Sequence, residues 1–394
     1  MVTQIENLLE RIAVANEAIA EMQIANPQNW NDVRAIVRAG KGAKHFPVGT
    51  QITVKWKDTA ANTEYDVPLD VVHHGKATLE DGTEVPAMYL QWHYATPFGI
   101  QFSNNVPMRY ADVEIPAGTY HFTIGSNWGN NLVNGKVYQF TLSKAVPIGG
   151  VITGIQQAPD IAPSNWRIKT YANPTHQNAL EEVALTEGVG GTDLGVFATN
   201  DKNDTENACQ DLYRIAYGYN NWKKSAIRQW LNSDKEKGLW WKPKSNLEYR
   251  PNELYTKDGF MRGFEEEFLN VIATVKVSTM TNTVNDGGVE DVTYDKFFLP
   301  SLEQEHCQKQ ANGEGETWEY WKRTLDSETP QPQYSTWPNH IRYGVENHNS
   351  ALTVRLRSAY RGNTFNTWSV SSSGYLNHNS AWTSYRVAPA CVIA

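Results

Sequence analysis

The sequence predicts a multidomain chain: an N-terminal helix, a β-rich domain of sandwich or barrel type, and an α+β domain running to the C-terminus. Three observations carry this. The chain has 394 residues, more than one ordinary core and enough for two or three domains. From Phe46 to about Gly150, short alternating runs are separated by turn residues, the pattern of an all-β unit. Beyond residue 196, two helical stretches come early and strands follow, the order of an α+β layout. The expected boundaries are 1–27 for the helix, 28–150 for the β-rich domain, 151–195 for a connecting segment and 196–394 for the last domain.

Taken in order, Ile5, Leu8, Ile12, Ala15, Ile19 and Met22 recur at spacings of three and four. This predicts a helix over 3–25, stopped by Asn26-Pro27. Its narrow stripe fits a coiled-coil seam, and Ile at the a positions suits three strands as well as two. A terminal helix packed on its own domain fits equally. Trp30, Val33, Ile36 and Val37 predict a short helix broken at Gly40 and Gly42. Strands are expected at 51–56, 88–94, 119–124 and 136–142, with a turn at Glu80-Asp-Gly-Thr83. Pro147, Pro159, Pro163, Pro174 and Gly188–Gly195 mark the connecting segment.

In the last domain, Ile227, Trp230 and Leu231 predict a helix over 225–233, and Phe264, Phe268, Val271 and Ile272 a second one. Val275–Val277 and Phe297–Leu299 read as strands. Ser301-Leu-Glu-Gln304 has the spacing of a capping box opening a short helix. Leu352, Val354 and Leu356 alternate with Thr353, Arg355 and Arg357, as in a half-buried strand. Val387–Ile393 is an apolar strand, and Arg386 at its start is expected to pair with a carboxylate.

Between these strands lies an unusual run. Of the 28 residues Ser358–Tyr385, 20 are Asn, Ser, Thr, Tyr, Trp or His, and no Asp, Glu or Lys follows Glu346. That composition suits neither a solvated charged loop nor an apolar core. It suits a recognition surface, where Tyr and Trp give rigid contact area and Ser and Asn adaptable hydrogen bonds. The candidate ligand-binding residues are Tyr360, Asn363, Asn366, Trp368, Tyr375, Asn377, His378, Asn379, Trp382 and Tyr385, bordered by Trp337, Asn339, His340 and Tyr343. A Ser/Asn-rich hairpin without a ligand is the plainer alternative.

The other classes fare worse. Net charge is −8 with no basic cluster, so nucleic acid is not an expected partner. Cys209, Cys307 and Cys391 are far apart and lack metal or disulfide spacing; Cys391 reads as a buried structural thiol. His73, His74 and His93 read as ordinary strand histidines, and no metal or cofactor is expected. Glu265–Glu267, Glu303 and Glu305 sit at helical spacing and read as solvated faces. No catalytic residue is assigned, because nothing places a carboxylate pair or a triad. There is no signal-peptide pattern and no apolar run of membrane length. The expectation is a protein made in a cytoplasm, without membrane insertion, that would leave by a route such as lysis if it works outside a cell.

Asn221-Trp-Lys-Lys-Ser-Ala-Ile-Arg-Gln-Trp-Leu-Asn-Ser233, Asp295-Lys-Phe-Phe-Leu-Pro-Ser301 with Glu303, and Leu356-Arg-Ser358 with Gly374 and Arg386-Val-Ala-Pro-Ala-Cys-Val-Ile393 resemble a domain family of unknown function. That family is common in phage and bacterial proteins of gut communities, and the resemblance covers about 196–394. It looks related to the C-type-lectin-like fold of formylglycine-generating enzymes and retroelement-diversified variable proteins. Val33–Gly40 and Phe46–Gly49 are similar to the front of gut-phage structural proteins that carry such a domain. The resemblance implies a virion protein, a tail or head fibre or decoration protein. It would meet a bacterial surface glycan or protein, contact other virion proteins, and form a homo-oligomer, a trimer for preference, through Ile5, Leu8, Ile12, Ile19 and Met22. It also implies that Asn363, Asn366, Asn377, His378 and Asn379 suit diversified positions. A bacterial adhesin or lectin would need an export signal. An enzyme of the formylglycine-generating type would need a cysteine pair, and Cys391 stands alone in its run.

Overall fold

The two ends of the described chain meet in one β-sheet. The computed structural model describes residues 27–104, 109–111, 113–124, 135–152, 167–173, 178–197, 217–242, 248 and 250–394. The predicted helix with Ile5, Leu8, Ile12, Ile19 and Met22 on its seam lies outside them.

Helix α1 (Trp30–Arg38) starts at Asn29, whose side chain accepts the Asp32 N–H at 3.1 Å, and buries Val33, Ile36 and Val37. It stops at Gly40, followed by α2 (Gly42–His45). Strands β1 (Gln51–Asp58), β2 (Thr63–Thr78) and β3 (Glu84–Trp92) form an antiparallel meander. The expected turn joins the last two, with Gly82 at positive φ. The short β4 (Ile100–Gln101) follows.

The next strands are β5 (Arg109–Tyr110), β6 (Gly118–Ile124), β7 (Val137–Leu142), β8 (Val151–Ile152), β9 (Arg167–Tyr171), β10 (Ala179–Ala184), β11 (Thr186–Glu187) and β12 (Thr192–Phe197). They make two four-stranded sheets, ordered β10-β9-β8-β5 and β11-β7-β6-β12. Phe122, Tyr138, Phe140, Leu142, Ile168 and Leu185 form a core of their own there. The described parts of 151–195 are built into these sheets: β8 pairs with β5, β11 with β7 and β12 with β6, all partners from earlier in the chain.

The chain then returns to the first core. Helix α3 (Ala226–Leu231) is capped by Ser225, whose hydroxyl accepts the Arg228 N–H at 3.2 Å. The second predicted helix is cut short, to a 3-10 turn (Phe260–Gly263) and α4 (Glu266–Leu269). Ile272 instead bridges Ile393. Strands β13 (Val275–Met280) and β14 (Glu290–Asp295) pair, and β15 (Phe297–Phe298) follows. Ser301 and Gln304 make both reciprocal bonds of a capping box, each 3.1 Å, but the segment they close is a turn. Helix α5 (Glu319–Leu325) precedes β16 (Arg342–Gly344), β17 (Asn347–Leu352), β18 (Val354–Ala359), β19 (Asn366–Val370), β20 (Leu376–Ser380), β21 (Ser384–Tyr385) and β22 (Ala390–Ile393).

Strand β22 inserts beside β3, pairing Ala390 with Gln91 and Ile393 with Met88, and β15 closes that edge. The resulting sheet is ordered β1-β2-β3-β22-β15. Trp56, Leu69 and Trp92 share one core with Trp230, Phe260, Phe297 and Val392. The boundary expected at residue 150 does not divide this core, because antiparallel pairing across some three hundred residues leaves no local mark in composition. The described residues are mostly β, in several sheets with few short helices. No described helix is long and apolar enough to cross a membrane.

Candidate functional site

The polar-aromatic run folds as β19, β20 and their flanking loops, added to β18 in a three-stranded antiparallel sheet. Register puts Asn366 opposite Ser380, Trp368 opposite His378, and Ser369 opposite Asn377. Side chains alternate across a strand. Asn366, Trp368 and His378 therefore share one face, while Asn377 and Asn379 lie on the other with Thr367 and Ser369. The ten candidate residues do not form one surface.

Beneath them, β18 is not half-buried as the alternation suggested: all six residues are buried, Arg355 and Arg357 included. Buried cations persist when most of their N–H groups are satisfied, and of the Arg355 guanidinium only Nε lacks a partner. Arg355 bonds to the Thr367 hydroxyl and to the carbonyls of Ser380 (3.0 Å) and Thr383 (2.9 Å), with its guanidinium 4.8 Å from the Tyr385 ring centroid. Arg357 donates to the Leu299 carbonyl at 2.8 Å, to the Gln304 side chain and to the Glu314 carbonyl. Burial pushes Arg355 down to about 9 and Arg357 to about 10, so both stay charged at neutral pH. Arg355 thus holds the β20–β21 loop by its carbonyls.

The first face is aromatic. Tyr360 stacks on His378 with ring centroids 3.9 Å apart and an interplanar angle of 26°. Trp368 meets His378 edge-on at 5.4 Å and Tyr334 at 5.7 Å. The two nitrogens of His378 lie 2.9 Å from the Asn366 amide and 3.1 Å from the Tyr334 hydroxyl. Burial lowers the imidazole below its ordinary value, so the ring is neutral at pH 7. Tyr334 is 47% exposed and sits at φ 60°, a conformation unusual for a bulky residue and common at functional sites.

Several candidates take other roles. Trp368 is fully buried, its ring within a cluster of Leu302, Cys307, Leu356, Val370 and Leu376, so it supports the face from below. Asn363 is buried, and its side-chain oxygen accepts the N–H groups of Phe365 (3.1 Å) and Asn366 (2.9 Å) as a turn former. Tyr375 bridges Thr336 at the β19–β20 turn. Trp382, 40% exposed, lies on a separate loop whose carbonyl accepts from Gln101. Of the bordering residues, His340 is buried. Sequence reasoning missed Tyr334, because nothing in Gln-Pro-Gln-Tyr-Ser signals a left-handed tyrosine folded back onto a distant sheet.

Two buried networks hold this face. The Asn220 side-chain amide donates to the carbonyls of Tyr360 (3.2 Å), Asn363 (2.8 Å) and Asn366 (2.9 Å), and its oxygen accepts from Asn282 at 3.1 Å. On the other side, the Gln331 amide donates to the carbonyls of Ser335 (2.9 Å) and Gly374 (3.0 Å). Those two bonds orient its oxygen toward His340 Nδ1 at 2.7 Å. His340 Nε2 lies 3.0 Å from Glu305, which also accepts from Gln91 of β3 at 2.6 Å. Glu305 is therefore not on a solvated helix face. Burial pushes its carboxyl up, but the bonds from His340 and the charge of Arg342 outweigh this and hold it below the ordinary range. The chain Gln91–Glu305–His340–Gln331 ties the central sheet to the turn at Gly374, where φ is positive and a Cβ would strike the Trp337 carbonyl. Arg386 has its expected carboxylate, Glu346, at 3.0 Å.

The motif Asn221–Ser233 is scaffold. Trp222 and Arg228 both bind Asp295, at 3.2 and 2.7 Å, and Asn232 accepts the N–H groups of Lys296 (2.8 Å) and Phe297 (3.1 Å).

Residues 191–394 match a family described as a domain of unknown function, DUF6273. The match spans more than half of the chain, and the chain belongs to that family. No curated protein and no solved structure matches it.

Proposed function

We propose that the protein is a non-enzymatic recognition protein that binds a bacterial surface glycan or protein through Tyr334, Tyr360 and His378. The observation that carries this reading is a partly exposed aromatic face, with a strained tyrosine, held rigid by two buried polar networks. Preorganised aromatic area with few rotatable bonds is what a contact surface needs. Aromatic planes would pack on sugar rings or apolar side chains, with the Tyr334 hydroxyl giving direction; Asn366 is buried and holds His378 from within. In the wider reading the domain is C-type-lectin-like and the chain a phage virion protein, a tail or head fibre or decoration protein. Oligomerisation through the N-terminal helix would then multiply weak contacts. The diversification reading narrows to Asn377, His378 and Asn379, since Asn363 builds a turn and Asn366 is buried. The formylglycine-generating alternative, which needs a cysteine pair, draws no support from the described cysteines: Cys307 and Cys391 are buried, and burial pushes both thiols up.

The test is co-sedimentation of the full chain with intact cells of candidate bacterial hosts, with mass measured by light scattering. Tyr334→Ser combined with His378→Ala should lower binding by about tenfold or more, as loss of contact anchors does, while Trp382→Ala stays near wild type. Unchanged binding in the double variant, or loss confined to Trp382→Ala, removes the proposed face.

A further inference from the structure

A second concave site lies away from the aromatic face, between β2, β13 and the loop 313–318. Its volume is about 350 Å³, within the usual size of small-ligand pockets. One wall is the Tyr89 ring, 5.7 Å from His73 and backed at 6.1 Å by the buried Trp318. The Tyr89 hydroxyl is turned away to the Lys76 carbonyl at 2.7 Å, which leaves its ring as the lining. The charges do not cancel. Lys76 is matched by Glu84 and Lys276 by Glu290, each at 3.4 Å. Arg357, on the floor, lies against Glu314. Glu316 remains, and its ion-pair partner among the described residues is His73 at 3.4 Å. Burial lowers the His73 imidazole below its ordinary value, against the opposing pull of Glu316, so the ring adds no cation at neutral pH.

We propose that this cleft binds a small organic cation, a ligand with an ammonium group held between the Tyr89 ring and Glu316. Cations sit favourably over aromatic faces, and a nearby carboxylate adds to the attraction. The site is independent of the aromatic face on β19 and β20.

The test is calorimetric titration of the full chain at low ionic strength with choline chloride, beside its uncharged isostere in which carbon replaces the nitrogen. Choline should bind saturably at one site and the isostere should not. Glu316→Gln, an exposed change that leaves the fold alone, should weaken choline by about three- to tenfold, the modest size expected of a screened surface charge. Lys76→Gln frees Glu84 and should tighten it. Tyr334→Ser should leave it unchanged, so failure here and failure of the recognition face are told apart. Equal binding of the isostere, unchanged affinity in Glu316→Gln, or no saturation by choline would each overturn the assignment.

Discussion

Trp368 and His378 face each other across paired strands, yet one is core and the other surface. Trp368→Ala should therefore cost about 3–5 kcal/mol of stability, as large-to-small aromatic changes in cores do. Trp382→Ala should cost well under about 1 kcal/mol, as exposed substitutions do. Denaturant unfolding of the two variants checks the contrast. Titration behaviour also belongs to single residues. The ionisable groups facing His378 are Tyr334 and Tyr360. Its folded pKa lies below 6.5, so just under that value the unfolded chain holds more protons than the folded one. Stability from this group is full above pH 6.5 and falls as pH drops through the folded value. Glu305, held below 4.5, adds a second loss at lower pH by the same sign. His378→Gln should make the first slope shallower, since His73 and His306 are lowered by burial as well, and leave the second, measured by thermal unfolding across pH 4–8.

Elements here are held by side chains that bind backbone. Asn220 satisfies three carbonyls of the 360–366 loop at once. Asn220→Ala should cost about 2–4 kcal/mol, the sum expected when buried acceptors lose their donor. It should also raise hydrogen exchange within 360–366 before the rest of the sheet. Equal exchange in both proteins would mean the loop holds itself. The same logic explains which elements were legible. Helix α1, helix α3 and strands β1, β3, β6 and β7 carry their apolar period in sequence. The helix expected over 264–272 ended early because Ile272 is drawn into a bridge with Ile393. The capping box at Ser301 formed its bonds without a helix, since Gln304 also serves Arg357.

At the scale of the molecule, the family match begins at residue 191, but the core does not. Strand β22 depends on β3, and Gln91 of β3 anchors Glu305 and through it the Gly374 turn. Residues 191–394 produced alone should fail to fold cooperatively, whereas a chain lacking 109–197, rejoined by a short linker, should keep the main core. Circular dichroism and proton NMR dispersion of the two fragments decide this.

By itself the sequence determined the β-rich class, most local elements, and the polar-aromatic stretch from which the proposed face is partly built. Those depend on composition and on periods of two and 3.6 residues, which neighbours in sequence express. Only the tertiary structure decided that the described ends share a sheet, that the described parts of 151–195 pair into sheets, and that the polar-aromatic run splits between two faces. It also buried Trp368, Asn363 and Glu305 and added Tyr334 from outside the run. Strand pairing and burial are properties of residues brought together from distant parts of the chain, and the local pattern of one strand does not record what lies across it.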